Sequence, residues 1–135
     1  MTLRPIRAAG RNRLVRPIVS AASVNVSRGD FVLVVASGDY GKPRPALVIQ
    51  SDLYNDTHHS VTICLVTSTL VDAPLFRIPI KPLKRNGLNV ISQVMVDKVQ
   101  TARRDRIKSV IGVASVAEMR AVDMALRGWV SLDSQ

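Results

Sequence analysis

The chain has 135 residues, of which 47% are hydrophobic, and its aromatic content of only 4% predicts a core of valine, isoleucine, leucine and alanine. This length is sufficient for about one domain. No run of about 18 or more uncharged apolar residues occurs, so the sequence excludes a membrane-spanning helix. The formal net charge of +9 favours a polyanionic partner, either nucleic acid or an acidic protein, with ordinary solubility charge as the alternative explanation.

Positive charge is concentrated near the N-terminus. Residues 1–27 contain no acidic residue and carry five arginines, which are Arg4, Arg7, Arg11, Arg13 and Arg16. This composition is similar to that of a transit peptide, but a regular apolar segment for secretion is missing. We therefore predict a flexible basic extension over residues 1–27 and one folded domain over residues 28–135.

Short β-branched runs separated by polar turns predict a mainly β fold. Strands are expected at residues 31–36, 45–50, 61–66, 76–80 and 88–97. The loops are too short for crossover helices, so an antiparallel meander in a small barrel or twisted sheet is favoured. Pro79 cannot donate to a ladder, which marks the fourth strand as an edge. The single cysteine, Cys64, lies in the third run and is predicted to be a buried structural thiol, consistent with a reducing cytoplasm.

The dipeptide at residues 86–87 is Asn-Gly, which favours a type I′ hairpin turn and predicts that the fourth and fifth strands pair. Along the fifth strand, Val94 and Val96 are predicted to face the core. The opposite face is expected to carry Gln93, Met95 and Asp97. Function could be located on that face.

A C-terminal helix is predicted from Ser115, because serine followed three residues later by Glu118 forms a capping-box pattern. The helix is expected to end near residues 128–130. Its apolar stripe consists of Val116, Met119, Val122, Leu126 and Trp129. On the outer face, Asp123 is expected to pair with Arg127 one turn later.

Residues 41–50 are the most informative segment, because a loop containing Pro43 and Pro45 places Arg44 at the start of an apolar strand. The two prolines restrict the backbone of their neighbours and so stiffen the loop. A guanidinium remains charged and offers forked donors to anionic oxygens, which suits a phosphate. The alternative is a structural turn with a solvated arginine.

The order of these features resembles the MazF/PemK family of toxin endoribonucleases, which share a fold with the gyrase poison CcdB. The resemblance covers about residues 28–132 and rests on the segments at residues 28–30, 41–49, 66–68, 96–101 and 121–126. It implies an SH3-like β-barrel with a C-terminal helix, acting as the toxin of a type II toxin–antitoxin system. It also implies a cytoplasmic homodimer that cleaves single-stranded RNA without a metal or other cofactor and is blocked by a small antitoxin.

The resemblance implies catalytic roles for three residues. Arg44 matches the family arginine before the second strand and would stabilise charge on the phosphorane, with a weaker case for donating a proton to the leaving oxygen. Thr67 matches a threonine at the end of the third strand and would hold the scissile phosphate. Asp97 matches an acidic position that acts in acid–base chemistry in some relatives, so it is the candidate base, with a surface salt bridge as the alternative. RNA contacts are expected from Asp39, Tyr40, Lys42, Ser68, Gln93 and Lys98.

Two features depart from the family pattern. The loop at residues 37–40 is shorter than in many relatives, and Met95 stands where some PemK-like members have a catalytic arginine two residues before the acid. These departures leave open a catalytically degenerate SH3-like binding module, and the shared fold leaves open a CcdB-like gyrase poison. His58 and His59 form a rival acid–base pair, although exposed loop histidines are the commoner case.

Overall fold

The structure is a computed structural model and describes residues 23–35 and 41–132. The strands are β1 (Asp30–Val35), β2 (Pro43–Val48), β3 (Ser60–Thr67), β4 (Arg77–Ile80), β5 (Ser92–Arg103) and β6 (Ile107–Val113). The helices are α1 (Asp52–Asn55) and α2 (Val116–Trp129), and a 3-10 turn (Arg104–Arg106) precedes β6.

The six strands form one sheet in the order β4-β5-β3-β2-β1-β6, with every pairing antiparallel. This confirms the predicted antiparallel fold with a C-terminal helix. The fourth strand lies at the edge of the sheet, as Pro79 indicated. The sheet has two edges, β4 and β6, and is therefore barrel-like without complete closure by strand pairing.

The connection between β4 and β5, residues 81–91, packs against β6 and draws the two edges together. The amide of Val113 donates to the carbonyl of Arg85 at 2.9 Å. Gly87 has a φ of 71°, and a Cβ at this position would lie 2.1 Å from the carbonyl oxygen of Ile111. Glycine is required here because its backbone must both adopt a left-handed conformation and approach β6 closely.

The predicted pairing of the fourth and fifth strands is confirmed, but the predicted type I′ turn is wrong. That turn requires positive φ at both central residues, and Asn86 does not have it. Asn86 is instead buried, and its side chain donates to the carbonyl of Lys81 at 2.8 Å and accepts from the amides of Leu83 and Leu88. The asparagine organises a longer connection, so β5 begins at Ser92 rather than at residue 88.

Two apolar clusters cover the two faces of the sheet. The helix α2 contributes Val122 and Ala125 to the cluster that contains Val94 and Val96, which confirms the predicted core face of the fifth strand. Cys64 belongs to the same cluster, and burial, with a smaller effect from the charge of Asp97, raises the pKa of its thiol to about 12. This confirms a structural thiol that stays protonated and unreactive.

The second cluster lies on the opposite face and includes Val26 from the segment before β1. The amide of Ser27 donates to a carboxylate oxygen of Asp30 at 2.8 Å. Packing therefore extends a few residues before residue 28, where the folded domain was predicted to begin. Residues 1–22 lie outside the described residues, so the flexible extension stays a prediction.

The capping box at the start of α2 is confirmed. The Ser115 hydroxyl accepts from the amide of Glu118 at 3.0 Å, and the Glu118 carboxylate accepts from the amide of Ser115 at 2.8 Å. The helix ends at Trp129, as predicted. The expected pairing of Asp123 with Arg127 is wrong, because Asp123 pairs with Arg28, whose Nε also donates to the carbonyl of Ile49 at 3.0 Å.

Replacing Gly112 with alanine tests the backbone contact between the β4–β5 connection and β6, which brings the two edges of the sheet together. The added Cβ would lie 2.3 Å from the carbonyl carbon of Asn86 and 2.4 Å from the carbonyl oxygen of Arg85, which are backbone atoms. We expect Gly112→Ala to lower the free energy of unfolding by about 2 kcal/mol or more, as measured by urea denaturation.

Gly128→Ala is the matched control for that substitution. Nothing lies within 4 Å of a Cβ added at Gly128, and alanine is favoured in a helix by up to about 1 kcal/mol. This variant should therefore be as stable as the wild type or slightly more stable. Equal stability of Gly112→Ala and wild type would show that the contact does not constrain the fold.

Candidate active site

A pocket of about 370 Å³ lies where β2 begins and β3 ends. Its wall is formed by strand ends and by the β4–β5 connection, and its lining residues are Leu33, Arg44, Pro45, Val66, Thr67, Ser68, Thr69, Gly87, Leu88, Asn89, Val90, Ser92 and Ile111. Two of the three predicted catalytic residues, Arg44 and Thr67, therefore line one pocket.

The register of the sheet explains why Arg44 and Thr67 are neighbours. β2 begins at Pro43, two residues earlier than predicted, so Arg44 lies within the strand and pairs with Val34 of β1. On the other side, Ala46 of β2 is opposite Leu65 of β3, and the same register continued by two residues places Arg44 opposite Thr67. Neighbouring strands are about 4.8 Å apart, so both residues can reach one phosphate.

Thr67 is held by the turn that follows β3. Its Oγ1 accepts from the amide of Thr69 at 3.0 Å, which leaves the hydroxyl hydrogen to donate to a ligand. The turn also places Ser68 in the pocket lining. Arg44 is exposed and lines the pocket with a guanidinium that offers several N–H donors. The pair therefore offers a fixed positive charge and a hydroxyl donor at one position.

Asp97, the third predicted catalytic residue, does not line the pocket. Its carboxylate accepts from Arg77 in a bidentate arrangement, with Nε to Oδ1 at 2.8 Å and Nη2 to Oδ2 at 3.0 Å. The hydrogen bond from Arg77 lowers the pKa of Asp97, so the carboxylate is a weaker base than usual. Its role as a general base stays a prediction that this geometry disfavours. The salt-bridge alternative is favoured, with Arg77 as the partner.

Sequence reasoning missed Arg77. This residue lies opposite Met95 in the pairing of β4 with β5, so the neighbouring strand supplies a guanidinium beside Asp97 although Met95 cannot. The sequence analysis assigned residues 76–80 to an edge strand, but the cross-strand register was needed to place Arg77 beside Asp97. Residues 87–90, which form a wall of the pocket, were also missed by sequence reasoning. The Asn-Gly dipeptide at residues 86–87 was the only local signal for them.

The remaining predicted RNA contacts are dispersed. The Gln93 side chain accepts from the amide of Val71 at 3.2 Å and donates to its carbonyl at 2.9 Å, so it fastens the β3–β4 connection. Lys42 and Lys98 are exposed and do not line the pocket. Asp39 and Tyr40 lie outside the described residues.

The histidine pair is not brought to the pocket. His58 and His59 lie in the connection from α1 to β3, with their rings stacked at a centroid distance of 5.0 Å. The carbonyl of His58 accepts from Nε and Nη2 of the buried Arg104 at 3.1 and 3.0 Å. These contacts give the segment a structural role, and neither histidine is among the pocket residues.

Comparison with known proteins identifies the class. Residues 27–130 match the family of PemK-like, MazF-like toxins of type II toxin–antitoxin systems. The chain belongs to this family and is a MazF-type toxin. Within residues 23–35 and 41–132, no helix is long and apolar enough to cross a membrane.

Individual relatives agree with this assignment. The chain is 42% identical over 100 residues to a probable endoribonuclease MazF of Mycolicibacterium smegmatis, an alignment that covers 73% of this chain and 91% of the relative. The fold is similar to that of the toxin MazF-mt6 of Mycobacterium tuberculosis, with a TM-score of 0.68, 23% identity and coverage of 78% of this chain and 99% of that chain. A MazF of Deinococcus radiodurans gives a TM-score of 0.64 at 23% identity, covering 80% and 98% of the two chains.

Acidification tests the Arg77–Asp97 pair. Because the folded-state pKa of Asp97 is lowered from its usual 3.8, the stability it contributes is present above about pH 4 and is lost as the pH falls through the folded-state value. We expect Asp97→Asn to lower the free energy of unfolding at pH 7 by about 1–3 kcal/mol, with a smaller difference from wild type at pH 3, measured by urea denaturation.

Asp105→Asn is the control, because Asp105 pairs with Arg103 through side chains that are 60% and 71% exposed. An exposed pair contributes at most about 1 kcal/mol, so this variant should unfold close to wild type at both pH values. If Asp97→Asn and Asp105→Asn behave alike, the Arg77–Asp97 pair does not stabilise the fold.

Proposed function

We propose that this MazF-type endoribonuclease toxin cleaves single-stranded RNA at the pocket, by attack of a ribose 2′-hydroxyl on the neighbouring phosphate, without a metal or other cofactor. The observation that carries the proposal is that Arg44 and Thr67 line the same pocket. Their placement on adjacent strands supports a joint action of a guanidinium and a hydroxyl on one phosphate.

The chemistry requires both groups to act on the phosphoryl oxygens. As the bond from O2′ to phosphorus forms and the bond from phosphorus to O5′ breaks, extra negative charge develops on the non-bridging oxygens. Arg44 stabilises this charge, and the Thr67 hydroxyl donates a hydrogen bond to one of these oxygens. Water takes the proton from O2′, and water supplies another proton to O5′. The products carry a 2′,3′-cyclic phosphate and a 5′-hydroxyl.

The described pocket lining limits which groups can accept the O2′ proton. Among the described residues that line the pocket, none carries a carboxylate or an imidazole. Asp97 is fixed by Arg77 away from this lining. Asp97→Asn should therefore cleave RNA within about tenfold of wild type, whereas loss of a general base costs about 100-fold or more.

The protein is further proposed to act in the cytoplasm as a homodimer, under the control of a cognate antitoxin. An endoribonuclease from a mycobacterial species solved in complex with its cognate antitoxin has a similar fold, with a TM-score of 0.69 and 19% identity, covering 82% of this chain and 99% of that one. The net charge of +9 suits an acidic antitoxin segment as well as RNA. Such a segment would compete with RNA for the Arg44 pocket.

Single substitutions test the catalytic assignment on a defined RNA in the presence of EDTA. Arg44→Ala should lower kcat by about 100-fold or more, and Thr67→Ala by about tenfold or more, because each removes a donor that acts on developing charge. Arg120→Ala, which removes an exposed arginine of α2, is the matched control and should cleave normally.

Thermal unfolding of each variant excludes misfolding as the cause of lost cleavage. Undiminished cleavage by both Arg44→Ala and Thr67→Ala would refute the assignment of roles. Inhibition of gyrase supercoiling by wild-type protein that leaves RNA intact would refute the ribonuclease mechanism and favour a CcdB-like poison.

A further inference from the structure

The pocket is lined by more residues than the two that are proposed to hold the phosphate. Besides Arg44 and Thr67, its lining includes an apolar floor that consists of Leu33, Pro45, Val66, Leu88 and Ile111. Leu33 and Pro45 are directly opposite each other on β1 and β2, while Leu88 and Ile111 pack against the core under α2. An apolar floor beside a phosphate site suits a flat group that is covalently joined to the phosphate.

One wall of the pocket is rigid. Residues 87–90 follow Asn86, whose buried side chain makes three hydrogen bonds within the connection. Gly87 lies so close to the backbone of Ile111 that no side chain fits between them. The Asn86 hydrogen bonds and the contact with Ile111 both hold this wall in place. It can therefore present a side chain to a ligand in one position, as specific recognition requires.

We propose that this pocket binds the base of a nucleotide next to the scissile phosphate and that Asn89 reads the edge of that base. The inference rests on the proposed function for the position of the phosphate. The volume of about 370 Å³ lies within the range of small-molecule sites. Proteins that recognise single-stranded RNA splay out individual bases, pack their faces against side chains and hydrogen-bond their edges.

Asn89 is distinguished from the other polar lining residues by its chemistry. It is exposed at the pocket, and its carboxamide has no hydrogen-bond partner within residues 23–35 and 41–132. A carboxamide donates from its NH2 group and accepts at its oxygen, so it pairs best with a base edge that offers an acceptor beside a donor. A hydroxyl can either donate or accept, so it discriminates less between base edges. The nearby hydroxyl of Ser92 is already used, because it donates to the carbonyl of Val90 at 2.9 Å.

The first test measures nucleotide preference. Wild type and Asn89→Ala are incubated with an RNA library randomised around the cleavage site, and the cut ends are sequenced. We expect Asn89→Ala to reduce the preference at one of the two nucleotides flanking the scissile phosphate by about tenfold, while other positions are unchanged. Gln100→Ala, which removes an exposed carboxamide of β5, should keep the wild-type preference.

The second test fills the pocket. Val90 lines it and is 54% exposed, whereas the adjacent Ile91 is 56% exposed and does not line it. Val90→Trp should raise KM by about tenfold, and Ile91→Trp should leave it unchanged. Because both side chains are exposed, both variants are expected to fold, which thermal unfolding checks.

A binding measurement separates this inference from the proposed function. Amide resonances of wild-type protein are followed by NMR during titration with nucleoside 5′-monophosphates and, separately, with ribose 5-phosphate. Only the nucleotides should shift the amide resonances of residues 87–90, whether or not the protein cleaves RNA.

If RNA is cleaved through Arg44 but Asn89→Ala and Val90→Trp match wild type, the base site is refuted while the function stands. If wild type cleaves no RNA, nucleotide-specific shifts support the base site, and their absence refutes it.

Discussion

The backbone contact between residues 85–87 and β6 holds the curvature on which the site depends. Strand pairing alone leaves β4 and β6 as separate edges, and the β4–β5 connection reaches across to β6 through the hydrogen bond from Val113 to Arg85. Gly87 and Gly112 allow the two backbones to approach to a distance that any Cβ would prevent. The same contact places residues 87–90 beside Arg44 and Thr67, so the closure of the fold also builds a wall of the pocket.

Two arginines on the sheet have different roles because their surroundings differ. Arg44 is exposed and lines the pocket together with Thr67, where the proposed function places the scissile phosphate. Arg77 is matched by Asp97 in a bidentate pair whose side chains are only 13% and 15% exposed. Such a pair fixes the β4–β5 edge and lowers the pKa of Asp97, which suits structure better than proton transfer.

The sequence predicted the features that depend on local chemistry. Alternating apolar residues predicted the inward direction of Val94 and Val96, and the serine at residue 115 predicted the start of the helix. The resemblance, rather than periodicity, selected Arg44 and Thr67. Cross-strand register could not be predicted in this way, because it depends on distant segments. For this reason Arg77 was missed, Asp123 was given the wrong partner, and Asn86 was assigned to a hairpin turn instead of a longer connection.

If Arg44 and Thr67 hold one phosphate together, their contributions to catalysis must depend on each other. A double-mutant cycle measures this directly, from kcat/KM of wild type, Arg44→Ala, Thr67→Ala and the double variant on one RNA. The predicted result is a coupling free energy between the two residues of about 1 kcal/mol or more, with the double variant less impaired than the sum of the single effects. Strictly additive effects would contradict a shared phosphate site.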